Sequence, residues 1–400
     1  MLNAEDSGLV IEGGGASVRC GCVLTNWADD ADGLLAARVP EGADPAMLLI
    51  GGRARPRARY PETGALTYRS TTDVKWMNST NGGWNRPLTH EELTRVVVNP
   101  ADFPKNMDVR NAEITVFHEW DESTVRVRSL DRKTGLVELE SELEHPAGSF
   151  GKREYVLWNV REGMTRPGQW YFDRTRGLIV YRPMSGESAD NLDAEIPVSL
   201  HAFLLKGARN VVIRNLNIRC VNTHHEKSGL RAVNCPGAIE GTDCENVLID
   251  GVRLSDVAGT GIKFLRSREI DVRHCRISDC GAGGIFEMEV MPARVSGNLI
   301  EHIGQSVFSA VGIHAGGKSQ LVFVMDGCRA ESGGVHDHGR AVLRHNVRRR
   351  AAHRRAQPHT ALHDRAARRR GDLLLPRPAH GDSGQLCIGD FRTSRARLLF

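Results

Sequence analysis

The chain has 400 residues, 40% of them hydrophobic, with 42 glycines and a formal net charge of +4. No apolar run reaches the ~18 residues of a membrane-spanning helix. The basic balance sits at one end: residues 321–400 hold 16 Arg, no Lys and 7 acids, which leaves the first 320 residues at −5 and gives no basis for a nucleic-acid surface on the folded part.

The start, Met1-Leu2-Asn3-Ala4-Glu5-Asp6, lacks the basic first residues and apolar core of a secretory signal. The chain is therefore expected to be cytoplasmic or to lack its true N-terminus, and its localisation stays open. Short β-like pieces follow at Leu9-Val10-Ile11, Val18-Arg19-Cys20 and Met47-Leu48-Leu49-Ile50. Residues 1–62 are expected to be a β segment holding partial first coils. Gly13-Gly14-Gly15 precedes no helical pattern and so is no phosphate loop.

Residues 63–190 carry alternating runs such as Ile114-Thr115-Val116-Phe117, Val125-Arg126-Val127-Arg128 and Tyr155-Val156-Leu157-Trp158. Turn residues between them predict a small inserted antiparallel β-sandwich-like domain. A hairpin is expected over residues 168–183, with Trp170, Phe172, Ile179 and Tyr181 on one face. That face is either sandwich core or a sugar-stacking platform.

From residue 191 to 320 the chain repeats. Asn246-Val247-Leu248-Ile249-Asp250 is matched by Glu269-Ile270-Asp271-Val272-Arg273 and Ala293-Arg294-Val295-Ser296-Gly297, and Gly-Ile pairs stand at 261, 284 and 312. Most matched positions are 23 residues apart; the last Gly-Ile pair is 28 on. The apolar residues alternate with period two, so each repeat is a set of short strands. No single repeat can bury its apolar face alone, so the repeats must stack. A leucine-rich repeat lacks its regular Leu spacing here, and a propeller blade is about twice as long. The reading is an all-β parallel solenoid, one coil per 23 residues.

The nine cysteines are scattered, with no Cys-x-x-Cys, and read as small core residues. His224-His225-Glu226 lies in a loop with no second ligand cluster, so no metal site is assigned. After Gln320, Trp, Tyr and Lys disappear and Arg, His, Ala and Pro dominate. Residues 321–400 are expected to be a non-solenoid tail, either disordered or, as preferred here, a GC-rich reading frame translated out of register.

The phrases Arg57-Ala58-Arg59-Tyr60-Pro61 and Pro167-Gly168-Gln169-Trp170-Tyr171-Phe172-Asp173-Arg174, with the coils from Val211 to Gly317, carry a resemblance. The chain resembles the right-handed parallel β-helix proteins of the pectate-lyase-like superfamily, and more narrowly its glycoside hydrolases with an inserted β-sandwich. The resemblance implies a carbohydrate-active enzyme with a polysaccharide or oligosaccharide as substrate, no nucleic-acid or membrane partner and no cofactor. It leaves the oligomeric state unknown.

Successive coils place matched residues one strand spacing apart, ~4.8 Å. Asp256 and Asp279 are matched, which suits the ~5–5.5 Å between the carboxyls of a retaining glycosidase. Either aspartate alone reads equally well as a turn cap. His302 follows at the same position of the next coil, beside Glu301. Alternation turns Lys263 and His314 outward and Glu287 inward. A buried lone carboxylate is costly, so the strand is expected to break at Glu287. The expected acid/nucleophile group is Asp279 with Glu287 or Glu289, while Asp256, Glu301, His302, His314 and Lys263 position the sugar. Two rivals remain: a polysaccharide lyase using Ca²⁺ held by carboxylates and a Lys263 or Arg266 base, and a non-catalytic carbohydrate-binding solenoid.

Overall fold

The computed structural model describes residues 1–77, 83–119, 121–149, 151–224 and 231–316, with the short strands Phe323–Asp326, Arg329–Ser332, Val342–His345 and Leu386–Cys387. The period-two phrases become strands of three parallel sheets. Sheet A stacks Phe203–Lys206, Gly237–Thr242, Thr260–Leu265, Ile285–Met288, Ile313–Gly316 and Val342–His345. Sheet B stacks Val10–Glu12, Arg209–Arg214, Glu245–Asp250, Arg268–Arg273, Ala293–Ser296 and Phe323–Asp326. Sheet C stacks Ser17–Arg19, Asn217–Val221, Arg253–Val257, Arg276–Ser278, Leu299–Ile303 and Arg329–Ser332. The chain runs A, B, C and then climbs to the next coil.

Alternation sends one residue in two inward. Val211, Ile213, Val247, Ile249, Ile270, Val272 and Val295 are sealed in a single core with Cys244 and Cys275. Each aliphatic side chain buried there contributes roughly 1.5–3 kcal/mol of transfer free energy. The cysteines among the described residues are all free thiols, and all but Cys22 are buried.

The corners between sheets are nearly as regular as the strands. Gly207, Asp243, Arg266 and Glu289 stack at the A-to-B corner, and Asn215, Gly251, His274 and Gly297 at the B-to-C corner, every one with positive φ. A turn of one or two residues needs a left-handed residue to swing the chain through the corner, which Gly and Asn accept most easily.

The ladders also continue past Gln320, where the solenoid was expected to end. Ala293 to Ser296 pairs in parallel with Phe323 to Asp326, Leu299 and Ile300 with Arg329 and Ala330, and His314 and Ala315 with Arg344 and His345. The change in composition hid these strands. Most of residues 346–400 lies outside the described residues.

Parallel pairing stops after Arg19. Gly21–Leu24 pairs antiparallel with Ala194–Pro197, which also pairs with Leu49–Ile50. The excursion from the solenoid therefore opens at Gly21, ahead of residue 63, and closes at Pro197. Its strands include a four-stranded sheet in the order Trp170–Asp173, Leu178–Tyr181, Leu34–Arg38, Ala28–Asp30. A seven-stranded sheet is built around Glu122–Asp131, Glu113–Phe117 and Glu154–Trp158. Trp170, Phe172, Ile179 and Tyr181 are buried with Trp27, Leu48 and Ile196. That hairpin is core, and no sugar can stack on it.

Arg57 and Arg174, from the two linear motifs, meet at one carboxylate. Glu113 has no solvent exposure and accepts from Arg57 Nη1 and Nη2 at 2.6 and 2.7 Å, with the Arg174 guanidinium against its Oε1. Arg174 Nε also donates to Asp44 at 3.0 Å. The Asp44 carbonyl accepts from the amide of Asn222 at 3.1 Å, while Ala46 N–H donates to the Asn222 Oδ1 at 3.0 Å. The network thus ties both antiparallel sheets to the solenoid. Removing one partner of a buried ion pair strands the other charges, typically costing ~3–5 kcal/mol. Glu113→Gln is expected to lower unfolding stability by ~3 kcal/mol in denaturant titration, and a loss below ~1 kcal/mol would show that the network does not hold the sheets.

Candidate functional site

The corner from sheet C back to sheet A carries the matched aspartates. Cys220, Asp256, Asp279 and His302 occupy the same position of four coils with φ between 49° and 59°. The stacking is direct: Val257 N–H donates to the Asp279 carbonyl at 3.1 Å and Cys280 N–H to the His302 carbonyl at 3.2 Å. Asp256 is largely buried. Burial pushes its carboxyl up, Arg219 at 3.6 Å and a 3.2 Å hydrogen bond from Ser255 Oγ oppose the rise, and the Asp279 and Glu195 charges add to it. Asp279 is half-exposed and faces His302 Nδ1 at 3.4 Å. Glu195, reached by Arg19 at 3.4 Å and Arg219 at 3.7 Å, brings a third carboxylate to this corner from the antiparallel strand Ala194–Pro197. Sequence spacing could not reveal it, because it comes from outside the repeat.

Other expected residues lie elsewhere. Glu301 is on the outer face of sheet C, 3.0 Å from Arg276 Nη2. Lys263, Phe286 and His314 line up along the outside of sheet A. Lys263 is buried, with Nζ donating to the Val233 and Cys235 carbonyls at 2.8 and 2.9 Å. Burial pushes its ammonium down, and Glu240 opposes this. The lysine thereby fastens residues 233–235 to sheet A. Phe286 and His314 stack with centroids 4.5 Å apart and planes at 6°. Glu240 belongs to the same column, accepts from Gly237 N–H at 2.8 Å and sits 3.9 Å from His201 Nδ1. Its coil escaped the repeat because it begins Ala238-Ile239 rather than Gly-Ile and stands 36 residues from its predecessor.

Glu287 corrects an expectation. The strand Ile285–Met288 does not break: Glu287 stays in register with Phe264 below and Ala315 above, on the inward face. It has no solvent exposure, and neither carboxyl oxygen has a hydrogen-bond partner. The ladder outweighs the carboxyl because the group can stay neutral; burial, with a contribution from Asp271, pushes it up to about 8. Glu289 sits in the A-to-B corner, its N–H bonded to the Gly316 carbonyl at 2.8 Å. The structure therefore brings together Asp256, Asp279 and His302. Glu287 is inside the coil and Glu289 at a different corner from Asp279.

The antiparallel insert closes against the same C-to-A corner. Glu122 accepts from Phe308 N–H at 2.8 Å and Ser309 N–H at 3.1 Å, and Phe117 meets Phe308 edge-on with centroids 4.9 Å apart. Residues 304–312 leave directly from the strand that holds His302. Among the described residues no group of three or more His, Cys, Asp or Glu side chains is arranged to hold a metal ion; His225 and Glu226 lie outside them.

A family model for the right handed beta helix region matches residues 198–346, which carries the coil pattern beyond residue 320. A solved glycoside hydrolase superposes with a TM-score of 0.60 at 15% identity, covering 81% of this chain and 68% of that one. Two weaker likenesses are XylC in complex with xylose (TM-score 0.35, 10% identity, 75% and 45% covered) and the tailspike protein gp49 from Pseudomonas phage LKA1 (0.19, 9%, 67% and 46%). No curated protein matches the chain. Sheets, family model and first superposition together define a right-handed parallel β-helix protein with antiparallel sheets inserted after its first coil.

The buried Glu287 sets a pH dependence. The unfolded carboxyl ionises near 4.5 and the folded one near 8, so between these values the unfolded state holds fewer protons. Stability from this group is present below pH ~4.5 and falls as pH rises toward ~8, by on the order of 4 kcal/mol. Glu287→Gln is expected to flatten that decline in urea titrations at pH 5 and pH 8. Equal declines in both proteins would contradict the assignment.

Proposed function

We propose that the chain is a carbohydrate-active enzyme that hydrolyses glycosidic bonds at the C-to-A corner, with Asp256 as general acid and Asp279 as nucleophile. One observation carries the reading: two carboxyls occupy the same backbone position of adjacent coils, one largely buried with its proton affinity raised, the other half-exposed beside an imidazole. Environments that push two neighbouring carboxyls apart are what an acid and a nucleophile require. One strand spacing, ~4.8 Å, favours retention over inversion. Asp256 would protonate the leaving oxygen while Asp279 attacks the anomeric carbon. Water, deprotonated by Asp256, would then release the sugar. His302 orients Asp279. The superposition on a glycoside hydrolase supports the scaffold, and the substrate class is a polysaccharide or oligosaccharide.

Asp279→Asn and Asp256→Asn are each expected to lower kcat on aryl glycosides by ~10²-fold or more, with NMR of the first-formed product showing the substrate's anomeric configuration. Cleavage that requires Ca²⁺ and yields an unsaturated, ultraviolet-absorbing product would replace hydrolysis with elimination. Glycan binding without turnover, unchanged in Asp279→Asn, would leave a binding solenoid.

A further inference from the structure

The exposed aromatic surface of the insert lies far from the buried hairpin in sequence. Trp76 and Trp84 form an antiparallel bridge, and their rings meet at 88° with centroids 5.1 Å apart. Trp76 is 43% exposed and Met77 49%, whereas Trp27 and Trp170 are buried. Behind the pair, the His145 ring lies 5.5 Å from Trp84 and 6.5 Å from Trp76, and His118 lies 5.2 Å from His145. Asp121 Oδ2 faces His145 Nε2 at 3.7 Å; its Oδ1 is buried with no hydrogen-bond partner, on a residue only 7% exposed.

Asp121 and Glu122 belong to the hairpin end that grips Phe308 and Ser309. The aromatic pair thus stands at the end of the insert that abuts the Asp256–Asp279–His302 corner. The exposed Trp76 indole, set perpendicular to the half-buried Trp84 ring and backed by imidazole and carboxylate, offers an apolar face with hydrogen-bonding groups at its margin, the combination that receives the C–H face and hydroxyls of a pyranose. We propose that Trp76, Trp84 and His145 form a saccharide subsite on the insert, which holds a neutral sugar ring of a chain whose cleaved bond lies at the solenoid corner. This rests on the glycosidase reading above.

The preference for a neutral ring follows from charge. The Asp121 carboxylate lies behind the indole pair, against His145. Nearby Arg86 already holds Glu92 Oε1 at 2.6 Å and Asp73 at 2.5 Å, and Lys152 holds Glu154 at 3.3 Å. A uronate would add a second negative charge beside the buried, unpartnered Oδ1 of Asp121.

The test uses the full chain silenced by Asp279→Asn, titrated calorimetrically with xylohexaose, cellohexaose and hexagalacturonate. Binding of a neutral hexaose is expected, weakened about tenfold or more by Trp76→Ala or Trp84→Ala and retained in Trp76→Phe. In the active chain, Trp76→Ala is expected to lower the ratio of kcat/KM on the hexaose to that on an aryl monoglycoside by a similar factor. If the enzyme cleaves oligosaccharides and Trp76→Ala changes neither affinity nor that ratio, the subsite is overturned while the glycosidase reading stands. Tighter binding of hexagalacturonate overturns the neutral-ring assignment. If no saccharide is bound or cleaved by the unmutated chain, the glycosidase reading falls and takes the subsite with it.

Discussion

The parallel hydrogen-bond ladder governs this molecule. Each coil must return to the same register as the one before, so every corner between sheets has to turn the chain by the same amount. Over residues 203–303 this is met by two residues at the B-to-C corners and by two to four at the A-to-B corners, with a left-handed residue stacked on its equivalents. The C-to-A corner is different. The insert leaves there after Arg19, and residues 279–284 and 304–312 loop out there. One corner therefore carries the elaborations of the described coils, and it is also where Asp256, Asp279 and His302 stack. Repeating structure and candidate chemistry are separated by topology, since this corner varies most in length among the described coils.

What could be read in the chain follows the same division. The coils from 246 to 316 were legible because alternation and a 23-residue spacing report each other. The coil containing Glu240 was not, because a long C-to-A loop shifts it to 36 residues. The edges of the insert were not legible either: Gly21–Leu24 finds its partner at Ala194–Pro197, and no local pattern announces so distant a pairing. The aromatic face of the hairpin stayed open between core and platform for a related reason. Trp170 and Trp76 look equally apolar in sequence, and only the packing of Trp27, Leu48 and Tyr181 around Trp170 tells them apart. Within the candidate site, the spacing identified the stacked pair Asp256 and Asp279, but Glu195 and the insert's contact through Glu122 enter from outside the repeat.

The insert is held by two different kinds of charge contact. Glu113 meets two guanidinium groups with no exposure to water, a geometry that specifies orientation more than it adds net stability. The two arginines come from sequence motifs on either side of the domain, so their chemistry is architectural even though their residue types suggest anion recognition. Glu122 instead captures two backbone N–H groups of the 304–312 connection. It fixes a mobile class of structure, a long loop, to a rigid sheet. Together the contacts position the insert against the solenoid, one of them at the C-to-A corner.

Asp256 and Glu287 show why a raised carboxyl pKa does not by itself mark an acid catalyst. Burial raises both, and perturbed groups do cluster at functional sites. Glu287 is sealed between Phe264 and Ala315 on the inner face of sheet A. A proton leaving it has no hydrogen-bonded neighbour to receive it, and no substrate oxygen can approach. Its shift records the ladder's refusal to break. Asp256 keeps partial exposure, a hydroxyl partner in Ser255, a guanidinium in Arg219 and a second carboxylate one coil away. Those neighbours oppose one another, and the group lies at a corner that keeps contact with solvent. The difference lies in which side of the strand the alternation presents, and that single bit of geometry separates a structural cost from a candidate reaction centre.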